Sequence, residues 1–169
     1  MPFLTLLRHA KAAQPLPGQK DFDRKLTERG RNDAARMGKL LVDLKPDLVL
    51  VSATARTVET WEIASGAFEH PPAPTVERAL YLCRAAQLIE RLRAIPAETQ
   101  SVVMVGHNPT IQEVALWLAG KSKGAEIDQL REKYPTAALA TFKVEDAGWS
   151  GLSPKTVSFE RFVSPRSLD

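Results

Sequence analysis

Two histidines stand where a phosphoryl group could be attacked and held: His9, directly behind Arg8, and His107, between Gly106 and Asn108. A neutral imidazole can attack phosphorus and form a covalent phosphohistidine that water then hydrolyses. Arg8 and Arg56 can each present a planar fork to phosphate oxygens. Phosphoryl transfer depends on positioning and on stabilising charge over the equatorial oxygens, which such residues supply. His107, hydrogen-bonded to the phosphate, would stabilise the developing charge. Helix amides following Asn108 would add partial positive charge, which makes Asn108 a candidate phosphate-side residue. A cationic surrounding also favours the neutral imidazole, whose lone pair is the nucleophile. Each residue alone has a plainer explanation: a histidine satisfied locally beside a strand end, or an arginine that is an ordinary surface cation. Their joint placement gives the set its weight.

That placement is set by the flanking elements. Phe3 to Leu7 is an apolar run that reads as a buried strand stopping at Arg8. A polar loop with Pro15, Pro17 and Gly18 runs from Ala12 to Arg24. Thr27 offers an N-cap, and Ala34, Met37, Leu41 and Leu44 recur at helical spacing, predicting a helix from about Glu28 to Asp43. Leu48 to Val51 is a second strand ending at Ser52, with a helix from about Ala55 to Ala67. A proline-rich connector leads to a short strand near Thr75-Val76, and Leu88, Ile89, Leu92 and Ile95 give a helix ending before Pro96. Ser101 to Val105 is the clearest strand; after Gly106, Asn108 reads as N-cap and Pro109 as the first helical residue. Lys121 to Pro135 is ambiguous between loop and short helix. Ala138 to Val144 and Thr156 to Phe162 read as late strands across a glycine-containing turn.

Strands alternating with helices predict an α/β fold, a three-layer α/β/α sandwich around a mostly parallel sheet. Ligands in such sheets bind beyond the carboxyl ends of the strands. That rim receives Arg8-His9, the segment from Ser52 to Arg56, and Gly106-His107-Asn108. No repeat, low-complexity tract or linker interrupts the chain, so residues 1–169 read as a single domain.

Composition narrows the function classes. The apolar and charged fractions, 44% and 25%, are those of a soluble globular protein. The net charge of +3 comes from scattered Lys and Arg mixed with Asp and Glu, without the basic run or stripe of a nucleic-acid binder. Cys83 is the only cysteine, which excludes an intrachain disulfide and a cysteine-rich zinc site. In its apolar stretch it reads as a buried, inert residue. The N-terminus lacks a signal-peptide layout and no apolar run is long enough to span a membrane, so a cytoplasmic location with no membrane partner is expected.

Leu6-Leu7-Arg8-His9-Ala10, an arginine at Arg56 after the second strand, and Val105-Gly106-His107-Asn108-Pro109 resemble the signature of the histidine phosphatase superfamily, whose fold is phosphoglycerate-mutase-like. The small size and the stretch from Asp23 to Gly30 are similar to its compact phosphohistidine phosphatase branch. The resemblance runs from Phe3 to about Phe142. It implies His9 as nucleophile, with Arg8, Arg56 and His107 forming the phosphate pocket and Arg24 reaching toward it from a loop. It also implies a signalling role, a phosphorylated protein or small phosphorylated molecule as partner, and no cofactor or metal. Larger members carry a glutamate general acid after the third strand, where this chain has Ala79-Leu80-Tyr81. Asp21, Asp23 and Glu77 are candidate substitutes, with pairing of a loop carboxylate to Arg24 as the plainer role. The missing acid favours a phosphoramidate such as phosphohistidine, whose leaving nitrogen is readily protonated. Three alternatives stand beside that reading: a small-molecule phosphomonoesterase, a non-catalytic phosphate-binding or interaction module, and a metal-dependent hydrolase using His9 and His107.

Overall fold

A computed structural model describes residues 1–169. Six strands form one sheet: β1 (Phe3–Arg8), β2 (Leu48–Ser52), β3 (Thr75–Glu77), β4 (Ser101–Gly106), β5 (Leu139–Val144) and β6 (Val157–Val163). Their order is β3-β2-β4-β1-β5-β6. The first four run parallel, whereas β5 and β6 are antiparallel to their neighbours. Five helices, α1 (Glu28–Asp43), α2 (Ala55–Ser65), α3 (Ala85–Arg93), α4 (Thr110–Ala119) and α5 (Ala125–Glu132), complete an α/β fold with a mostly parallel sheet, as predicted.

Period-two alternation divides β1, β2, β4 and β5 between two cores. Leu4, Leu6, Leu50, Val102 and Met104 pack with residues of α3, α4 and α5. Leu7, Val49, Val51, Val103 and Val105 pack with Ala34, Met37 and Leu41 of α1 and Trp61 and Ala64 of α2. The helices therefore lie in two layers on opposite faces of the sheet. Helices α1 and α2 approach closely because Gly38 lacks a side chain; a Cβ there would overlap the Ala64 carbonyl. No helix is long and apolar enough to cross a membrane.

Several boundaries differ from expectation for local reasons. Helix α1 has the expected span because the Thr27 hydroxyl accepts the Gly30 amide at 3.0 Å. Helix α2 ends at Ser65 instead of Ala67, since the amides of Gly66, Ala67 and Phe68 bond three residues back and tighten the chain into turns. Helix α4 begins at Thr110, one residue later than expected, with Pro109 as its cap after a cis Asn108-Pro109 bond. The Asn108 side chain still contributes, its Oδ1 accepting the Gln112 amide at 3.2 Å. The ambiguous stretch after Gly120 contains α5, whose Ile127 and Leu130 join the first core.

Candidate active site

Strand register brings the two histidines together. In the parallel β1–β4 pair, Arg8 lies opposite Gly106, so His9 and His107 each follow one residue past the last paired position. Their ring centroids are 5.4 Å apart. Arg56 arrives from beyond the next strand over, in the first turn of α2, and is buried. Arg8, His9, Arg24, Arg56, His107 and Asn108, the six candidate nucleophile and phosphate-pocket residues of the sequence, all line one cleft of about 250 Å³, with Lys11, Ala12 and Thr136 completing the wall.

His9 is held in one tautomer. Its Nδ1 lies 2.7 Å from the Ala10 carbonyl, and a carbonyl only accepts, so Nδ1 carries the proton. In the neutral ring Nε2 then keeps its lone pair. Ala10 is itself fixed, its amide donating to the Thr60 hydroxyl at 3.0 Å, which in turn donates to the Arg56 carbonyl at 2.6 Å. Burial drives the His9 pKa down to about 3; the Ala10 bond opposes this, while His107, Arg56 and Arg8 add to it. His107 is lowered to about 4, first by burial and then by Arg56. Both rings are therefore neutral at pH 7.

The arginines differ in how firmly they are held. Arg8 donates from Nη1 to the Tyr134 carbonyl at 2.8 Å, and its buried Nε has no partner. Arg56 donates to the Asp21 carbonyl at 2.8 Å and to Asp21 Oδ2 at 3.1 Å. Arg24 bonds the Ala13 carbonyl at 2.8 Å and Asp21 Oδ1 at 3.0 Å. The Asn108 amide is engaged within the protein at both ends, its Nδ2 donating to the Tyr134 carbonyl at 3.3 Å.

The three candidate proton donors separate clearly. Asp21 accepts from Tyr81 Oη at 2.8 Å as well as from Arg24 and Arg56, and these bonds, Tyr81 foremost, lower its pKa to about 2. It is a carboxylate near neutral pH, and its pairing with Arg24 extends to two further partners. Glu77 is locked onto Arg91 by contacts of 2.8 and 3.1 Å to Nε and 2.8 Å to Nη2, away from the cleft. Asp23 is exposed and does not line the cleft. No three His, Cys, Asp or Glu side chains gather where they could hold a metal ion. Cys83 is buried, and burial raises its thiol pKa.

Comparison with known proteins places this geometry in a family. Residues 4–80 match the histidine phosphatase superfamily (branch 1). An uncharacterized protein of Mycobacterium tuberculosis is 33% identical over 165 residues, spanning 95% of this chain and all of that protein. A structure from Agrobacterium tumefaciens, described as the phosphohistidine phosphatase SixA, is 31% identical with a TM-score of 0.80, covering 98% of this chain and 99% of that one. The chain belongs to the histidine phosphatase superfamily. A second SixA-described structure, from Nakamurella multipartitia, superposes with a TM-score of 0.83 at 26% identity, covering 97% and 96% of the two chains. Both place the chain in the compact, SixA-like branch of the superfamily.

As a member of the histidine phosphatase superfamily the chain has neighbours of the cleft that its motifs do not announce. Ser52, fully buried, lies 2.8 Å from His107 Nε2. Tyr81, just past the third strand, has its ring centroid 5.8 Å from that of His107 and its hydroxyl on Asp21. The Tyr134 to Ala138 segment, readable as a plain turn, also holds Arg8 and Asn108 through the Tyr134 carbonyl and places Thr136 in the cleft wall. Position at the end of β2 was a signal for Ser52, since the rim rule selects that residue along with Arg56. Nothing local distinguishes Tyr81.

Proposed function

We propose that residues 1–169 form one catalytic domain that hydrolyses the phosphoryl group of phosphohistidine in a protein, through a covalent intermediate on His9. The observation that carries this reading is the Nδ1–H to Ala10 carbonyl bond, which leaves the His9 Nε2 lone pair available inside a cationic cleft. The name of the Agrobacterium relative supports the substrate class.

In the first step His9 Nε2 bonds to phosphorus as the phosphorus–nitrogen bond of the substrate breaks, its electron pair leaving with the substrate imidazole. Arg8, Arg56 and Arg24 hold the equatorial oxygens, and His107 donates to one of them. Asn108 supports the pocket at the start of α4. Water then attacks phosphorus, the His9–phosphorus bond breaks, and inorganic phosphate is released with His9 restored. The state of the acids supports a phosphoramidate over an alkyl phosphate: Asp21 is ionised and Glu77 is sequestered by Arg91, whereas an alkoxide leaving group would need a proton. A phosphohistidine imidazole takes its proton from water or enters already protonated. The arginines supply the positive charge, so turnover is expected to persist in excess chelator.

Brief reaction with a radiolabelled phosphoryl donor should leave acid-labile label on His9, and His9→Ala should abolish it. Label retained in His9→Ala would overturn the mechanism. Turnover of phosphoserine peptides or sugar phosphates ahead of a phosphohistidine peptide would overturn the substrate class.

A further inference from the structure

A second cavity, of about 320 Å³, adjoins the phosphate cleft and has no part in the phosphoryl chemistry above. The two share Arg56, His107 and Asn108, but Arg8 and His9 belong to the first alone. The second cavity therefore borders Arg56 and His107 without being lined by the nucleophile. Attacking and departing atoms lie roughly in line across phosphorus, so the leaving group must point away from His9.

The walls show what kind of group fits. Leu80, Leu88, Met104 and Ile111 form a buried apolar floor, over which the accessible surface comes from Leu82, the Tyr81 ring and Pro109, with Arg84 and Glu113 at the edge. Leu82 is 79% exposed, and its backbone has φ 58°. A branched side chain seldom adopts that conformation, and exposing it to water brings no burial in return. Two unfavourable features on one residue beside a reaction cleft point to a partner that covers it. The cavity holds about ten water volumes at roughly 30 Å³ each, more than an imidazole ring fills.

We propose that this cavity is the leaving-group subsite, and that it receives a protein segment in which an apolar residue follows the phosphohistidine. The imidazole enters beside His107 and Arg56, and the apolar neighbour packs over Leu82, Tyr81 and Pro109. This proposal rests on the phosphohistidine reading.

The test compares two phosphohistidine peptides that differ only in Leu or Ser after the modified residue, with phosphoramidate and phenyl phosphate as further substrates. The Leu peptide is expected to exceed the Ser peptide in kcat/KM by about tenfold, the scale on which a buried aliphatic side chain discriminates. In Leu82→Asn, chosen because Asn tolerates positive φ, that ratio should fall to within about threefold of unity. Equal values for the two peptides in the unaltered protein, with phosphoramidate turned over, would overturn the subsite and leave the phosphohistidine reading standing. An unchanged ratio in Leu82→Asn would likewise overturn it. Phenyl phosphate turned over ahead of both peptides would assign the cavity to a small aryl leaving group instead. Phosphoramidate turned over while neither peptide is would defeat the phosphohistidine reading itself.

Discussion

Ser52 Oγ meets His107 Nε2 at 2.8 Å, while the opposite ring nitrogen, Nδ1, is buried without a partner. His107 is neutral, so only one of its nitrogens carries a proton. A Ser52 hydroxyl that donates to Nε2 puts that proton on Nδ1 and makes it a donor for an anionic oxygen. The reverse arrangement would present a lone pair to the anion. Ser52→Ala is expected to lower kcat/KM by about tenfold, the worth of one buried neutral hydrogen bond, and to redistribute the His107 tautomers read by nitrogen NMR. Unchanged turnover with an unchanged tautomer ratio would count against this role.

The lowered histidine pKa values set the pH behaviour. For the free enzyme, the acid limb of kcat/KM should lie below about pH 4, because His9 and His107 stay unprotonated down to about 3 and about 4. An acid limb near the ordinary histidine value of about 6.5 would contradict it. Stability follows with a definite sign. Below about pH 6.5 the unfolded chain binds protons that the folded chain refuses, so unfolding becomes easier as pH falls toward 4. Urea midpoints at pH 7 and pH 5 measure this, and His107→Gln should flatten the difference.

Asp21 occupies guanidinium edges of both Arg24 and Arg56, so in the proposed reaction an incoming phosphoryl oxygen would compete with it. Asp21→Asn removes the charge and keeps an acceptor for Tyr81. Inhibition by inorganic phosphate should tighten a few-fold, a modest effect because the carboxylate is partly exposed and screened. The gain should shrink at high salt. With its pKa at about 2, Asp21 should contribute no limb to the activity profile above pH 4. A large loss of kcat with phosphate affinity unchanged would show instead that Asp21 acts in turnover.

Glu77 serves the fold. Its bidentate pair with Arg91, partly buried at both ends, ties β3 to α3. Glu77→Gln should cost about 1–2 kcal/mol and lower the melting temperature by a few degrees. The pH profile of the activity should not move; a lost basic limb would reinstate Glu77 as the proton donor.

Much of the frame was legible because its signals are local. The apolar runs of β1, β2 and β4 stop at Arg8, Ser52 and Gly106, and the α/β alternation is enough to place those ends on one rim. Thr27 marks the start of α1 through a cap three residues long. Less legible features depend on contacts between distant residues. The Tyr81–Asp21 bond spans 60 positions, and the Ser52–His107 bond spans 55. Tyr81 was visible only as a missing glutamate, yet its hydroxyl buttresses the carboxylate that holds two arginines. Helix α5 stayed ambiguous because eight residues show barely two turns of periodicity. The start of α4 moved by one residue because Asn108 reaches forward to Gln112, further than an ordinary cap.

The sheet order has a consequence for motion. Strands β1 and β4, which stop one residue short of His9 and His107, each have a paired strand on both sides. Asp21, Arg24 and Tyr81 lie on connections outside the sheet, in or just after single turns. Amide exchange should be slowest in β1 and β4 and fastest in those connections, where few backbone bonds must open. The cleft is thus held by the sheet on one side and by loops on the other: in the proposed reaction, local opening of the loops would admit phosphate while His9 keeps its alignment.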